Sequence, residues 1–297
     1  MIKPHLKGVA IALLGGDARE IVLAERLGAA GVLVKVVGLP VKVRQGIELC
    51  PGTREALEGA QAVILPVPGI NDSGEIYAAF CERPPVLTAE LLSCLPVGTP
   101  VLVGVARKAL KDMTEKCGLR LIEIMKLDEV AILNSIPSAE GAIQMAMENS
   151  DITIHGSRSL VLGFGRTGAT LACKLHALGS AVTAVARNSA QRAKAVAMGL
   201  SAADFPGLAA EALTADYIFN TVPGMILDDP ALGGVSPEVL IIDLASAPGG
   251  TDFEAARRRG IKAILAPGLP GKVAPKTAGR ILADVIPRIL TEEITLI

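Results

Sequence analysis

The stretch Ser159-Leu-Val-Leu-Gly163-Phe-Gly165-Arg-Thr-Gly168 decides the fold of the second half of the chain. This GxGxxG pattern follows an apolar run and precedes a helix-forming segment, residues 169–178, and a second apolar run comes at 181–186. In such a unit the glycines permit a tight turn, approach of a pyrophosphate and close helix packing, and the helix start attracts phosphate. An ordinary glycine turn is the alternative. The predicted dinucleotide contacts are Gly163, Gly165, Arg166, Thr167 and Gly168.

The end of the second apolar run indicates which dinucleotide is bound. NAD sites usually carry an acidic residue about 20 positions after the first glycine, where it accepts hydrogen bonds from the ribose. Here Arg187 stands 24 residues after Gly163, and no Asp or Glu occurs between Gly163 and Asp204. A guanidinium binds a 2′-phosphate that a carboxylate would repel, so the pattern favours NADP over NAD. A solvated surface position is the alternative for each arginine. The predicted contacts here are Ala186, Arg187, Asn188 and Arg192.

Two later loops follow apolar runs and are expected to lie beside the nicotinamide. They read Asn220-Thr-Val-Pro-Gly and Asp243-Leu-Ala-Ser-Ala-Pro-Gly-Gly. Parallel sheets bind ligands at the carboxyl ends of their strands, although Pro and Gly are also typical of ordinary turns. The candidate contacts in these loops are Thr221, Val222, Pro223, Leu244, Ala245 and Ser246.

Apolar runs alternate with helix-spaced segments along the whole chain. This rhythm predicts two doubly wound α/β domains with parallel sheets, the C-terminal one a Rossmann NAD(P)-binding fold. Strands are expected at 8–14, 32–37, 62–66, 100–104 and 120–123, and at 159–162, 181–186, 217–220, 239–243 and 263–265. We expect a substrate or catalytic domain at 1–127 and the dinucleotide domain at 151–275. A connecting helix is expected at 128–150, with Ser138 as the cap of its helical segment. A last helix, at 276–297, is expected to pack back toward the first domain. An interdomain cleft is expected to bind ligands.

Composition excludes several classes of protein. The 297-residue chain is 51% hydrophobic and 2% aromatic, with a formal net charge of -1. The apolar content excludes a disordered chain, and balanced charge with few aromatics argues against nucleic-acid binding. The longest uncharged run, residues 91–106, is broken by proline and glycine, so no membrane-spanning helix is predicted. Five scattered cysteines indicate neither a disulfide framework nor a metal site and suit a reducing cytoplasm.

The turn Leu14-Gly15-Gly16-Asp17-Ala18-Arg19 follows the first apolar run and precedes a helix. It lacks the third glycine of a dinucleotide loop, so no second cofactor is expected. We expect the N–H groups of Gly15 and Gly16 to approach an anion while Arg19 binds a carboxylate through two hydrogen bonds. In the alternative, Asp17 caps the helix and Arg19 is solvated. The other predicted contacts for a small acidic substrate are Pro68, Arg107 and Lys108, in loops after later strands.

Five segments together resemble the A-subunit family of dipicolinate synthases over essentially the full chain. They are Gly15-Gly-Asp-Ala-Arg19, Asn134-Ser-Ile-Pro-Ser-Ala-Glu-Gly141, Gly163-Phe-Gly-Arg-Thr-Gly168, Ile242-Asp-Leu-Ala-Ser-Ala-Pro-Gly-Gly250 and Leu269-Pro-Gly-Lys-Val-Ala-Pro-Lys-Thr-Ala-Gly279. The resemblance implies NADP-dependent conversion of 4-hydroxy-tetrahydrodipicolinate, or its dehydrated form, to dipicolinate. It also implies a flavoprotein-like partner, the synthase's B subunit, and the mother cell of a sporulating bacterium.

This chemistry needs a positioned acid or base, and three candidates stay open: Glu140, Asp17 and Ser135. Each has an ordinary alternative, as support for a first helical turn, as a helix cap or as a turn residue. The remaining candidate substrate contacts, Asn134 and Ser138, belong to the same segment as Glu140.

Two other functions compete with this prediction. A D-2-hydroxyacid dehydrogenase needs a general-base histidine downstream of the glycine loop, whereas the histidines here are His5, His155 and His176. None of them follows the predicted helix at 166–178. A non-catalytic NADP-binding protein that regulates or scaffolds a partner enzyme is the second alternative. A homo-oligomer is expected, since two-domain dehydrogenases often form one.

Overall fold

The computed structural model describes residues 6–294, which form two compact units. Residues up to Val130 and those from Pro275 onward make the first unit, and Ala131–Ala274 make the second. His5 and the last three residues of the predicted C-terminal segment lie outside the described residues. No helix within residues 6–294 is long and apolar enough to cross a lipid bilayer.

In the first unit, apolar runs form a parallel sheet buried on both faces. Its strands are β1 (Ala10–Leu14), β2 (Leu33–Val37), β3 (Ile47–Leu49), β4 (Ala62–Ile64), β5 (Pro100–Val103) and β6 (Arg120–Glu123). They pair in the order β3-β2-β1-β4-β5-β6. Side chains alternate along a strand, so Ile11 and Leu13 of β1 enter one core while Ala12 and Leu14 enter another. The accompanying helices are α1 (Ala18–Ala29), α2 (Thr53–Leu57), α3 (Ala89–Leu92) and α4 (Lys108–Lys116), and a 3₁₀ helix covers Ile124–Lys126.

One long helix, α5 (Asp128–Asn149), continues from the first unit into the second. It runs without interruption through Pro137, and Ser138 lies inside it, where its Oγ donates to the Asn134 carbonyl at 2.9 Å. The predicted cap at Ser138 is therefore wrong. Burial outweighs the tendency of proline to interrupt a helix. Residues spaced three and four apart are buried in the core of the second unit: Ala139, Ala142, Ile143 and Ala146.

The second unit repeats the architecture of the first. Its strands are β7 (Arg158–Leu162), β8 (Ala181–Val185), β9 (Ser201–Ala203), β10 (Tyr217–Asn220), β11 (Leu240–Asp243) and β12 (Lys262–Leu265). They form a parallel sheet in the order β12-β11-β10-β7-β8-β9, the order of a dinucleotide-binding doubly wound fold. The helices are α6 (Arg166–Ala177), α7 (Ser189–Ala197), α8 (Leu208–Ala212), α9 (Phe253–Arg258) and α10 (Leu269–Val273).

The last helix, α11 (Pro275–Ile294), belongs to the first unit and packs on α1. The approach is close at Gly279, where an added Cβ would lie 2.7 Å from the Arg19 carbonyl oxygen. Residues of α11 that enter the core of the first unit are Leu282, Ala283, Val285, Ile286, Ile289 and Leu290.

The prediction of two doubly wound parallel sheets is confirmed. Sequence analysis missed the edge strands β3 and β9, which are three residues long and carry mostly exposed or half-buried side chains. An edge strand of this kind lacks the apolar run that identifies a strand buried on both faces.

Candidate functional site

The glycine-rich loop joins β7 to α6 at the carboxyl end of the second sheet. Gly163 adopts a φ of +88°, a left-handed conformation that favours glycine. An added Cβ at Gly168 would lie 1.9 Å from the Gly163 carbonyl oxygen, so the helix packs against the strand end more closely than any other residue would permit. At Gly165, by contrast, an added Cβ would meet no atom within 4 Å. The first and last glycines of the motif shape the turn, and the middle one leaves space open above it.

The start of α6 offers hydrogen-bond donors to that space. The first N–H groups of a helix have no partner within the helix, and Gly165 at the N-cap supplies no side chain to satisfy them. They border a cavity of about 1070 Å³. Phosphate fits donors of this kind together with the positive end of the helix dipole. The predicted residues that line this cavity are Gly163, Gly165, Arg166, Thr167, Ala186, Arg187, Asn188, Thr221, Val222 and Pro223.

Arg187 lies on the cavity wall directly after β8. Its side chain is exposed, and within residues 6–294 no hydrogen bond or ion pair engages its guanidinium. Among the described residues that line the cavity, none is acidic. Asn188 beside it caps α7 by accepting from the Ala190 N–H at 2.8 Å. This wall therefore presents a cation and a helix start without a carboxylate.

Arg192 has a different position from the one predicted. Its Nη1 donates to the carbonyls of Ala186 and Arg187, both at 2.8 Å. It is not among the residues that line the cavity. Arg192 thus braces the backbone that carries Arg187, and its guanidinium is already committed there.

The loop after β10 borders the cavity mainly through its backbone and apolar atoms. Thr221 Oγ1 donates to the Leu162 carbonyl at 2.8 Å, which ties this loop to the end of β7. In the next loop the Asp243 carboxylate is fully buried and accepts from Gly250 N at 2.8 Å and Thr251 Oγ1 at 2.7 Å. The predicted contacts in that loop, Leu244, Ala245 and Ser246, are not among the residues that line the cavity.

Several residues that line the cavity do not belong to the predicted set. They are Phe164, Ser189, Gln191, Phe205 and Ile226. Ser189 and Gln191 belong to the first turn of α7, directly after the predicted contact Asn188, so the helix start signalled by Asn188 was the available clue. Phe205 and Ile226 come from irregular segments, and no sequence pattern connects them to the glycine loop.

In the first unit, the expected anion site at the glycine pair is closed. The Gly15 N–H donates to the Val37 carbonyl at 2.8 Å, and the Gly16 N–H donates to the Tyr77 carbonyl at 2.7 Å. Both glycines are buried. The prediction that their N–H groups bind a substrate anion is therefore wrong, because the backbone of neighbouring segments already uses these donors.

Asp17 and Arg19 form a buried ion pair beside this turn. Arg19 donates to the Asp17 carboxylate from Nε at 2.9 Å and from Nη2 at 2.8 Å. Asp17 also caps α1 in a capping box with Glu20. Burial alone would raise the pKa of Asp17, but the hydrogen bonds and charge of Arg19 outweigh it and lower that pKa. The capping alternative for Asp17 is confirmed, whereas Arg19 is buried rather than solvated.

Glu20 is a buried acid that sequence analysis did not single out. Its side chain accepts from the Asp17 N–H at 2.8 Å, and the residue is 1% exposed. Burial raises the pKa of Glu20 to about 7, against the opposing effect of the Arg19 charge. Burial and the Asp17 carboxylate also raise the pKa of Tyr77. The helical spacing of Glu20 gave no signal, since an acid in the first turn of a helix is ordinarily exposed to solvent.

The other candidates are dispersed over the two units. Ser135 and Glu140 lie well inside α5, which excludes the turn and first-turn alternatives for them. Ser135 Oγ bonds to Thr170 Oγ1 at 2.7 Å, and Glu140 accepts from Lys174 Nζ at 3.0 Å. Among the three acid–base candidates, Asp17 alone follows the carboxyl end of a strand. Of the predicted substrate contacts, Pro68 and Arg107 are exposed in the first unit. Asn134, on the part of α5 that belongs to the second unit, is half-buried.

These features define an α/β protein with two doubly wound sheets, one of which ends in a dinucleotide-binding loop. A family model described as the N-terminal domain of the dipicolinate synthase A subunit matches residues 10–125. The chain is 39% identical over 289 residues to the dipicolinate synthase A subunit of Bacillus subtilis (strain 168), and the match covers 97% of each. The chain therefore belongs to the A-subunit family of dipicolinate synthases.

Solved structures agree with this assignment. The crystal structure of the dipicolinate synthase A subunit from Bacillus halodurans matches with a TM-score of 0.92 at 38% identity, covering 96% of this chain and 98% of that chain. The Bacillus subtilis A chain gives 0.91 at 38% identity, covering 98% and 99%. The apo D-lactate dehydrogenase of Escherichia coli shares the fold alone, with a TM-score of 0.64 at 15% identity over 95% of this chain and 96% of that chain.

Two glycine variants are expected to separate folding from binding. Gly168→Ala should lower the melting temperature of the second unit, because its Cβ collides with the Gly163 carbonyl. Gly165→Ala should keep the melting temperature and weaken dinucleotide binding at least about tenfold, because its methyl group occupies the space that phosphate needs. Differential scanning calorimetry and binding titrations measure the two effects. Normal binding by Gly165→Ala would contradict the site.

Glu20→Gln tests the buried acid. The pKa of the Glu20 carboxyl is raised from 4.5 in the unfolded chain to about 7 in the folded chain. Its contribution to the free energy of unfolding is therefore fully present below pH 4.5 and is lost as the pH rises through about 7. The amide variant keeps an acceptor for the Asp17 N–H without titrating. Relative to the variant, the wild-type chain should therefore lose at most about 3 kcal/mol of stability across this range.

Melting temperatures between about pH 4.5 and pH 8 measure this loss. The matched control is Glu25→Gln, an acid on the same helix whose side chain is 42% exposed and pairs with Arg44. Parallel pH profiles for the wild-type chain and Glu20→Gln would show that Glu20 titrates normally.

Proposed function

We propose that the chain is an NADP-dependent oxidoreductase of the dipicolinate synthase A-subunit type. The proposed reaction converts 4-hydroxy-tetrahydrodipicolinate, or its dehydrated form, to dipicolinate during sporulation. Membership of the family supports the reaction. The proposal of NADP as cofactor is supported mainly by the cavity at the carboxyl end of β7. This cavity combines glycine-loop donors with Arg187 and has no acid among its described lining residues.

The residues around this cavity fit a nicotinamide dinucleotide. The N–H groups at the start of α6 would hold the pyrophosphate above Gly165, where no atom stands in the way. Val222 and Pro223, after β10, would border the nicotinamide end. When bound, the cofactor supplies the hydride acceptor, and the loops around it fix its orientation.

The preference for NADP is attributed to the wall formed by Arg187, Asn188 and Ser189. Arg187 offers a charged donor with no competing partner within residues 6–294, and the nine-residue helix α7 begins beside it. Both features favour an added 2′-phosphate. A carboxylate at this position would instead favour the free ribose hydroxyls of NAD.

The substrate proposed here carries two carboxylates, which call for cationic contacts. Arg107 is exposed at the start of α4, directly after the loop that follows β5, and Lys108 is exposed beside it. Arg19 is less suited to direct contact, because two of its donors are bound to Asp17. We therefore propose Arg107 and Lys108 as the principal carboxylate contacts of the first unit.

A direct assay tests the reaction. The purified chain is incubated with NADP and freshly prepared 4-hydroxy-tetrahydrodipicolinate, with and without a candidate flavoprotein-like partner, and both NADPH and dipicolinate are measured. Equal formation of both products in the mixtures that contain the chain supports the proposal. Dipicolinate formed without NADP reduction would contradict it, and NADP reduction by the partner in the absence of this chain would favour a scaffolding role for the chain.

Charge reversal at Arg187 tests the cofactor preference. Arg187→Asp should weaken NADP binding on the order of 10- to 100-fold and improve NAD binding relative to NADP, since it replaces a charge-assisted contact with repulsion. Calorimetric titration with each coenzyme measures both affinities. The matched control is Arg158→Asp, an exposed arginine at the opposite, amino end of the same sheet. Equal effects of both substitutions would remove Arg187 from the site.

A further inference from the structure

Asp243, the last residue of β11, carries a fully buried carboxylate. One of its oxygens accepts from the Ala245 N–H at 3.0 Å. The other accepts from the Gly250 N–H at 2.8 Å and from the Thr251 hydroxyl at 2.7 Å. A protonated carboxyl group would need an acceptor for its own proton, whereas both oxygens here receive hydrogen bonds from donors. This arrangement is typical of an ionised carboxylate.

The charge of Asp243 has no counter-ion in the described part of the chain. Within residues 6–294, no lysine, arginine or histidine forms an ion pair with it, and its hydrogen bonds come from neutral groups. A fully buried acid is normally paired with a cation, because desolvation of a lone charge is costly. Departures of this kind are expected at functional sites, and Asp243 lies at the carboxyl edge of the sheet, where parallel sheets bind ligands.

Asp243 lies close behind one wall of the dinucleotide cavity. In the register of β10 and β11 it is opposite Asn220, about 4.8 Å away between Cα atoms. Val222, two residues after Asn220, lines the cavity. Gly250, which donates to Asp243, packs so closely on this wall that an added Cβ would lie 2.6 Å from the Val222 carbonyl oxygen. Backbone alone therefore separates the carboxylate from the cavity wall.

The two redox forms of a nicotinamide coenzyme differ in charge at one place. The oxidised ring carries a positive charge that the reduced ring lacks, and the rest of the molecule is the same. A ring in contact with the Val222 wall lies about two strand spacings, roughly 10 Å, from the Asp243 carboxylate. At an effective dielectric constant of about 20, opposite charges at this distance change an affinity on the order of tenfold.

We propose that Asp243 makes the dinucleotide site bind oxidised NADP⁺ in preference to reduced NADPH. The carboxylate acts through space, since the loop after β10 stands between it and the coenzyme. This inference rests on the proposed function, which assigns the Val222 side of the cavity to the nicotinamide. A dehydrogenation that consumes NADP⁺ benefits from such a preference, because NADP⁺ then displaces the spent NADPH after each turnover.

Asp243→Asn tests the role of the charge, because it keeps the size of the side chain and removes the negative charge. The variant should bind NADP⁺ on the order of tenfold more weakly and NADPH with nearly unchanged affinity. Calorimetric titration of the full-length chain with each form measures the ratio of the two dissociation constants. A ratio equal to that of the wild-type chain overturns this inference alone. A wild-type chain that binds neither form overturns the proposed function as well.

The matched control is Asp216→Asn, at the opposite, amino end of the same sheet. Asp216 is half-buried and accepts from the Arg158 N–H at 2.7 Å, so it also supports a loop through its carboxylate. This variant should leave the ratio of dissociation constants unchanged. An equal change of the ratio in both variants would overturn a role specific to Asp243.

Thr251→Val separates the charge of Asp243 from its support of the loop. The variant removes one hydrogen bond and keeps the carboxylate, so it should lower the melting temperature and preserve the ratio of dissociation constants. A change of the ratio as large as in Asp243→Asn would assign the effect to loop shape and overturn the role of the charge. Circular dichroism verifies the fold, and Asp243→Ser replaces the amide variant if that variant does not fold.

Discussion

The close contact between Gly168 and the Gly163 carbonyl is the constraint on which the proposed dinucleotide site depends. An added Cβ would lie 1.9 Å from the carbonyl oxygen, so α6 can begin this close to the end of β7 only with glycine at that position. The position of α6 directs the N–H groups of its first turn toward the space above Gly165. The strands β8 and β10 both pair with β7, so their carboxyl ends border the same space, and Arg187 and Pro223 line the same cavity.

The two units share a strand order and differ in how their first turns are used. After β7 the helix start remains open to a ligand, whereas after β1 the N–H groups of Gly15 and Gly16 donate to the backbone at Val37 and Tyr77. The same topology therefore yields an open loop, the proposed dinucleotide site, in one unit and a closed turn in the other. The difference lies in part in the segment around Tyr77, whose backbone accepts from the Gly16 N–H and lies against Gly15.

The sequence predicted those features that depend on local pattern. Apolar runs identified the strands buried on both faces, and the spacing of three glycines identified the loop before α6. Arg187 could be located because its distance from Gly163 is fixed by one strand-helix-strand unit. In each case the deciding residues lie close together along the chain.

Features that depend on distant segments could not be predicted in this way. The closed turn at Gly15 and Gly16 depends on Val37 and Tyr77, some 20 and 60 positions away, and the raised pKa of Glu20 follows from its burial in the folded chain. The passage of α5 through Pro137 depends on burial of its alanine face, which overrides the local preference of proline. The edge strands β3 and β9 have too little apolar sequence to identify them.

A crystal structure of the chain grown with NADP would show whether the second unit binds this coenzyme as proposed. We expect density for the pyrophosphate over the N–H groups that follow Gly163, and density for the 2′-phosphate within hydrogen-bonding distance of the Arg187 guanidinium. Coenzyme bound elsewhere on the protein, or a 2′-phosphate directed away from Arg187 into solvent, would contradict it.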